Sequence, residues 1–67
     1  MEIKITTPFI KLDQLLKFSG MVSTGGEAKE VIAQGLVSVN GEVEFQRGKK
    51  IYPGFEVSFD NEVCKVI

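Results

Sequence analysis

Apolar residues recur along this chain in two spacings, one helical and one alternating, and the switch between them falls at a glycine. Met1 to Ile5 alternates, with Ile3 and Ile5 on one side and Glu2 and Lys4 on the other, which predicts a strand. Thr6-Thr7-Pro8 ends it, because Pro8 has no amide donor and pushes Thr7 away from helical backbone. Phe9 and Ile10 then run, buried, into a first helix over Lys11–Phe18, where Leu12, Leu15 and Leu16 form an apolar stripe. Ser19-Gly20 stops that helix, and Met21-Val22 return the chain to the core. Thr24 and Glu27 have the spacing of a capping box, with the Glu27 carboxylate reaching back to the Thr24 amide. The second helix, Gly25 to Gln34, carries Ala28, Val31 and Ile32 on one face. Gly35 suits the left-handed position that ends it, and Leu36 is expected to cover its last turn.

From Val37 onward the period is two. Val37 and Val39 flank Ser38, and Asn40-Gly41 supplies turn residues that tolerate positive φ. A two-residue turn there would set Val39 opposite Glu42 and Val37 opposite Glu44. A three-residue loop or bulge instead gathers Val37, Val39, Val43 and Phe45 on one face, and parity favours that arrangement. At Asp60-Asn61 a two-residue turn is the consistent choice. It gathers Phe55, Val57, Phe59, Cys64 and Val66 on one face and sets Glu56 opposite Lys65. Between the hairpins, Gln46 to Gly54 reads as loop with at most a short strand at Ile51-Tyr52 and a turn at Pro53-Gly54. The expected architecture is α+β: two short packed helices followed by a small, mainly antiparallel β-sheet closed by the N-terminal strand, as a single domain over residues 1–67.

Composition narrows the chemistry. Sixty-seven residues, 43% hydrophobic and 25% charged, describe a small folded domain rather than a disordered segment. No apolar run is long enough to span a membrane, and no basic-then-apolar leader opens the chain, so a cytoplasmic location is expected. There is no histidine, and the single cysteine, Cys64, alternates with Val66 as a buried small hydrophobe would. No carboxylate spacing suggests an acid–base pair or a metal site. An enzyme, a cofactor and a small-molecule substrate are therefore not expected. Gly25-Gly26 lacks the pattern of a nucleotide-binding loop, yet small residues at a helix start leave amide donors open to a phosphate, with the Ser23 and Thr24 hydroxyls beside them. Net charge is −1, so binding to nucleic acid would depend on local clustering, and Arg47, Lys49 and Lys50 form such a cluster. Of the six aromatic residues, Tyr52 is expected to be the most exposed, and no exposed aromatic pair is expected.

From Lys11 to Gly41 the chain resembles the ribosomal S-four RNA-binding domain, the αL motif, without a gap. The landmarks are Lys11-Leu12-Asp13, Leu16, Gly20, Thr24, Glu27-Ala28-Lys29, Ile32, Gly35 and Val37-x-Val39-Asn40-Gly41. The resemblance implies that the second helix start and the adjoining hairpin surface face RNA. It carries Lys11 and Lys29 over as basic positions, while Gly25 and Glu30 stand where the family is often basic, and Phe55 follows Gly54 where the family usually has aspartate. Lys11 and Lys29, carried over from the resemblance, join Ser23, Thr24, Gly25, Gly26, Asn40, Gln46, Arg47, Lys49 and Lys50, read from the residues themselves, as the expected RNA-binding set, and the resembled fold implies that Lys29 and the Arg47–Lys50 run come to one edge. The implied function is non-enzymatic recognition of structured ribosomal or transfer RNA, in ribosome assembly or translation, by a monomer. The alternative is a protein-interaction module on the same fold, which suits the isoelectric point of about 5.3. A β-grasp sulfur carrier, suggested by MEIKI and VNGE, would end in Gly-Gly rather than Lys65-Val66-Ile67.

Overall fold

The structure is a computed structural model that describes all residues, 1–67. Its elements in chain order are β1 (Glu2–Ile3), β2 (Ile10–Lys11), α1 (Leu12–Phe18), α2 (Gly25–Ala33), β3 (Val37–Val39), β4 (Glu42–Val43), β5 (Lys50–Ile51), β6 (Glu56–Phe59) and β7 (Glu62–Val66). A five-stranded sheet has the order β1-β7-β6-β3-β4. It is antiparallel except at its edge, where β1 runs parallel to β7. A separate two-stranded ribbon pairs β2 with β5. The α+β architecture read from the sequence is the one observed, with the N-terminal strand closing one side of the sheet.

The helices are where their patterns put them, and their ends show why. Thr24 is extended, and its Oγ1 accepts from the Glu27 amide at 3.0 Å. The Glu27 carboxylate accepts from the Ser23 amide at 2.9 Å, not from Thr24 as the capping box predicted. Successive amides point to opposite sides of an extended segment, so only one of the two can face the helix. At the other end Gly35 has φ 76°. Its amide donates to Ile32 O and the Leu36 amide to Val31 O, both at 3.1 Å, which closes a Schellman motif. Leu36 itself is exposed rather than folded over the last turn. A different residue covers this stop: a Cβ added at Gly35 would lie 3.1 Å from Phe45 Cε1.

Helix α1 has no side-chain cap. Its first donors, the Leu12 and Asp13 amides, donate to the carbonyls of Lys49 and Arg47 at 2.9 and 3.1 Å. The long loop therefore serves as the helix cap and is pinned to it. The short strand expected at Ile51-Tyr52 forms one residue earlier, over Lys50–Ile51, because its partner Ile10-Lys11 sets the register.

Between the helices and the sheet lies one core: Leu12, Leu15, Leu16, Val22, Ala28, Ile32, Val37, Val39, Ile51, Val57, Cys64 and Val66. Each helix stripe supplies its predicted residues, with Val31 only partly covered. The Asp60-Asn61 hairpin has its predicted register, with Val57 opposite Cys64 and Glu56 opposite Lys65. The Asn40-Gly41 hairpin does not. Val39 pairs with Glu42 and Ser38 with Val43, so the turn has two residues, with φ of 52° and 87°. Parity favours an odd loop only where β4 packs on the core. It is instead a two-residue edge strand, exposed at both positions, with no burial to enforce a face.

Candidate nucleic-acid interface

The positions singled out in the sequence occupy four places on the surface. Lys29, near the middle of α2, lines an open depression of about 530 Å³ together with Ala33, Phe45, Gln46, Arg47 and Gly48. Helix and loop thus bring one lysine and one arginine to the same concavity. The loop is held there at both ends: the Gln46 amide donates to the Glu44 carboxylate at 3.1 Å, and the Arg47 carbonyl accepts from α1. Neither the Lys29 ammonium nor the Arg47 guanidinium is engaged in a hydrogen bond within the domain.

Lys11 and Lys50 form a second place. They are cross-strand partners in the β2–β5 ribbon, so two ammonium-bearing side chains stand on one face. Like charges placed directly opposite each other destabilise a strand pair, and an anion between them removes that cost. Lys50 Nζ lies 4.9 Å from the centroid of the Phe9 ring, which tilts against Tyr52 at 5.9 Å. This aromatic pair steadies the ribbon and offers the cation a face.

The α2 start is a third place. Ser23, Thr24, Gly25 and Gly26 are all exposed, and a Cβ added at Gly25 would meet nothing within 4 Å. The Glu27 carboxylate already occupies part of the helix-start field through Ser23. Lys49 and Asn40 make the fourth, lining a depression with Glu42 and Glu44. There the Asn40 side-chain oxygen is engaged, accepting from the Glu56 amide at 2.9 Å. The run Arg47–Lys50 is therefore split: Arg47 joins Lys29, Lys50 joins Lys11, and Lys49 sits among carboxylates.

One aromatic expectation needs correction. Tyr52 is 42% exposed, but Phe45 and Phe18 are more open, at 64% and 66%. Phe45 was missed because the odd-loop parity placed it inside. The signal that finds it is Asn40-Gly41 taken as a two-residue turn, which puts Val43 and Phe45 on the outer face with Ser38. Cys64 is fully buried, and burial pushes its thiol above the ordinary range against the pull of the N-terminal ammonium, which disfavours the thiolate. No three metal-ligating side chains cluster, and no helix is long and apolar enough to cross a membrane.

The family model described as "S4 domain" matches residues 3–67. The chain belongs to the S4 domain family. Among its relatives is "Putative RNA-binding protein YbcJ" of Escherichia coli (strain K12), 40% identical over 60 residues, which cover 90% of this chain and 86% of that protein. Another is "Probable ribosome maturation protein RlbA" of Bacillus subtilis (strain 168), 38% identical over 58 residues, covering 87% and 82%. The solution structure of Escherichia coli YbcJ, described as revealing an αL motif involved in RNA binding, superposes with a TM-score of 0.76. That match has 36% identity and covers 98% of this chain and 85% of that one. The αL motif is thus the architecture of this S4 domain.

Proposed function

We propose that this S4 domain is a single, non-enzymatic module that binds structured RNA, ribosomal or transfer, and serves ribosome assembly or translation in the cytoplasm. The observation that carries the reading is the convergence of Lys29 and Arg47, from separate elements, on one depression of a chain whose net charge is −1. A solvated, functionless charge run would not select that pairing. The opposed Lys11 and Lys50 add a second phosphate locus, and the exposed start of α2, with Ser23, Thr24, Gly25 and Gly26, offers further donors. Recognition of this kind reads shape, because the deep major groove of A-form RNA is closed to side chains and phosphates and sugars remain accessible. Gln46 and the Asn40 amide group supply neutral contacts. The ribosome-maturation name of the Bacillus relative supports the ribosomal arm of the reading.

The test is a salt titration of binding to a ribosomal RNA hairpin. Lys29→Gln combined with Arg47→Gln should weaken binding and flatten the dependence of log K on log salt by about 0.7–0.9 per lost phosphate contact. Lys11→Gln with Lys50→Gln should do the same. Lys65→Gln should change neither, since Lys65 lies opposite Glu56 on the sheet. Equal effects from Lys65 and from the two pairs would overturn the assignment in favour of the protein-interaction module.

A further inference from the structure

The depression shared by Lys29 and Arg47 contains a group that phosphate binding does not use. Phe45 lines it and is 64% exposed. The ring is not a loose appendage. One edge rests on the Gly35 backbone, since a Cβ there would lie 3.1 Å from Cε1 and 3.3 Å from Cζ. The strand that leads to it is fixed by the Asn40-Gly41 turn, and the residue after it by the Gln46–Glu44 hydrogen bond. An open aromatic surface, set against Gly35 on one edge, thus stands in one concavity with two free cations and the Gln46 amide.

We propose that Phe45 is a stacking platform for one unpaired nucleobase, so that the preferred RNA is a duplex interrupted by a bulge or loop nucleotide. This rests on the RNA-binding reading above and specifies its target. The chemistry matches part by part. Base–aromatic stacking uses the π-face common to all bases, the two cations take the phosphates on either side, and the Gln46 amide can both donate to and accept from a base edge. A paired base in a helix cannot reach the ring, whereas a splayed nucleotide can. Phe18 is equally exposed, but the cations near it are divided between two depressions, Lys17 in one with Ile10 and Gln14 and Lys4 in the other. It therefore serves as the control.

The experiment compares two RNAs with identical stems and ends, one uninterrupted and one carrying a single bulged 2-aminopurine nucleotide. Wild-type protein should bind the bulged RNA more tightly and quench the probe on stacking. Phe45→Leu keeps an apolar cover on Gly35 but has no ring, and it should lose roughly 5- to 100-fold on the bulged RNA. Its affinity for the uninterrupted RNA and its salt slope should stay unchanged. Phe45→Tyr should retain both preference and quenching, and Phe18→Leu should behave as wild type. Unaltered probe emission, or a bulge preference that survives in Phe45→Leu or falls equally in Phe18→Leu, overturns the platform while leaving salt-dependent RNA binding in place. Absence of salt-dependent binding to either RNA overturns the RNA reading and the platform together.

Discussion

Two hairpins with the same kind of turn behave differently in this domain. Asp60-Asn61 and Asn40-Gly41 are both two-residue turns with both residues at positive φ. The first joins β6 and β7, interior strands of the sheet, and its facing pair Val57 and Cys64 is completely buried. The second joins β3 to the edge strand β4, whose Val43 and following Phe45 are exposed. Where a face is buried, a one-residue slip would move every apolar side chain into water, so burial dictates the register. At the edge there is no such penalty, and the turn residues dictate it instead. The edge hairpin is thereby free to present apolar and aromatic groups outward, beside the cations of the proposed RNA surface.

The largest predicted effect separates core from edge. Leu16→Ala and Ile32→Ala should each cost about 2–5 kcal/mol, because both side chains are buried and the surrounding packing cannot close the cavity. Val43→Thr on the edge should stay within about 0.5 kcal/mol, as for exposed sites in general. Denaturant titrations of the three variants measure this. Losses below half a kilocalorie at both core sites, or a large loss at Val43, would reverse the roles given to the two regions.

Next in size is Gly35→Ala, which tests the link between edge and helix. An alanine at φ 76° is disfavoured by about 1–2 kcal/mol, and its Cβ must push the Phe45 ring from 3.1 Å contact. The thermal midpoint should fall, and Phe45 ring resonances should shift with it. Asn40→Ala comes third, at about 0.5–1.5 kcal/mol. It removes the acceptor for the Glu56 amide, the one side-chain bond that ties the edge turn to the sheet.

These effects also show why some of the molecule was legible in its sequence and some was not. Helix α2 was readable to both ends because its signals are local: Thr24, Glu27 and Gly35 act within one turn of where they stand. The β6–β7 hairpin was readable because alternation and turn agree there. The capping of α1 by the Arg47 and Lys49 carbonyls was not, since backbone acceptors more than thirty residues away leave no residue-type signature. Strand β2 and its pairing with the short strand expected near Ile51 were missed for a related reason: two residues per strand are too few to show a period. The grouping of the candidate positions was legible only in part. Lys29 with Arg47 follows from the resembled fold, but the separation of Lys50 from Lys49 follows from the β2–β5 register, which sets Lys50 opposite Lys11 and which the pattern did not reveal.

The smallest prediction concerns the charges on the interior hairpin. Glu56 and Lys65 face each other across β6 and β7, at a position where the two residues exchange no backbone hydrogen bonds and their side chains come closest. A double-mutant cycle with Glu56→Gln and Lys65→Gln should give a coupling of about 0.2–1 kcal/mol, diminishing as salt is added. The edge hairpin offers the contrast. There Glu42 stands opposite Val39, so Glu42→Gln should couple to nothing on β3. Zero coupling between Glu56 and Lys65 would mean that apolar packing alone sets the interior register. A measurable one means that charge also opposes a slipped pairing, since moving either strand by one residue puts Lys65 or Glu56 on the buried face. The two hairpins would then differ in how they resist slipping as well as in what they bury.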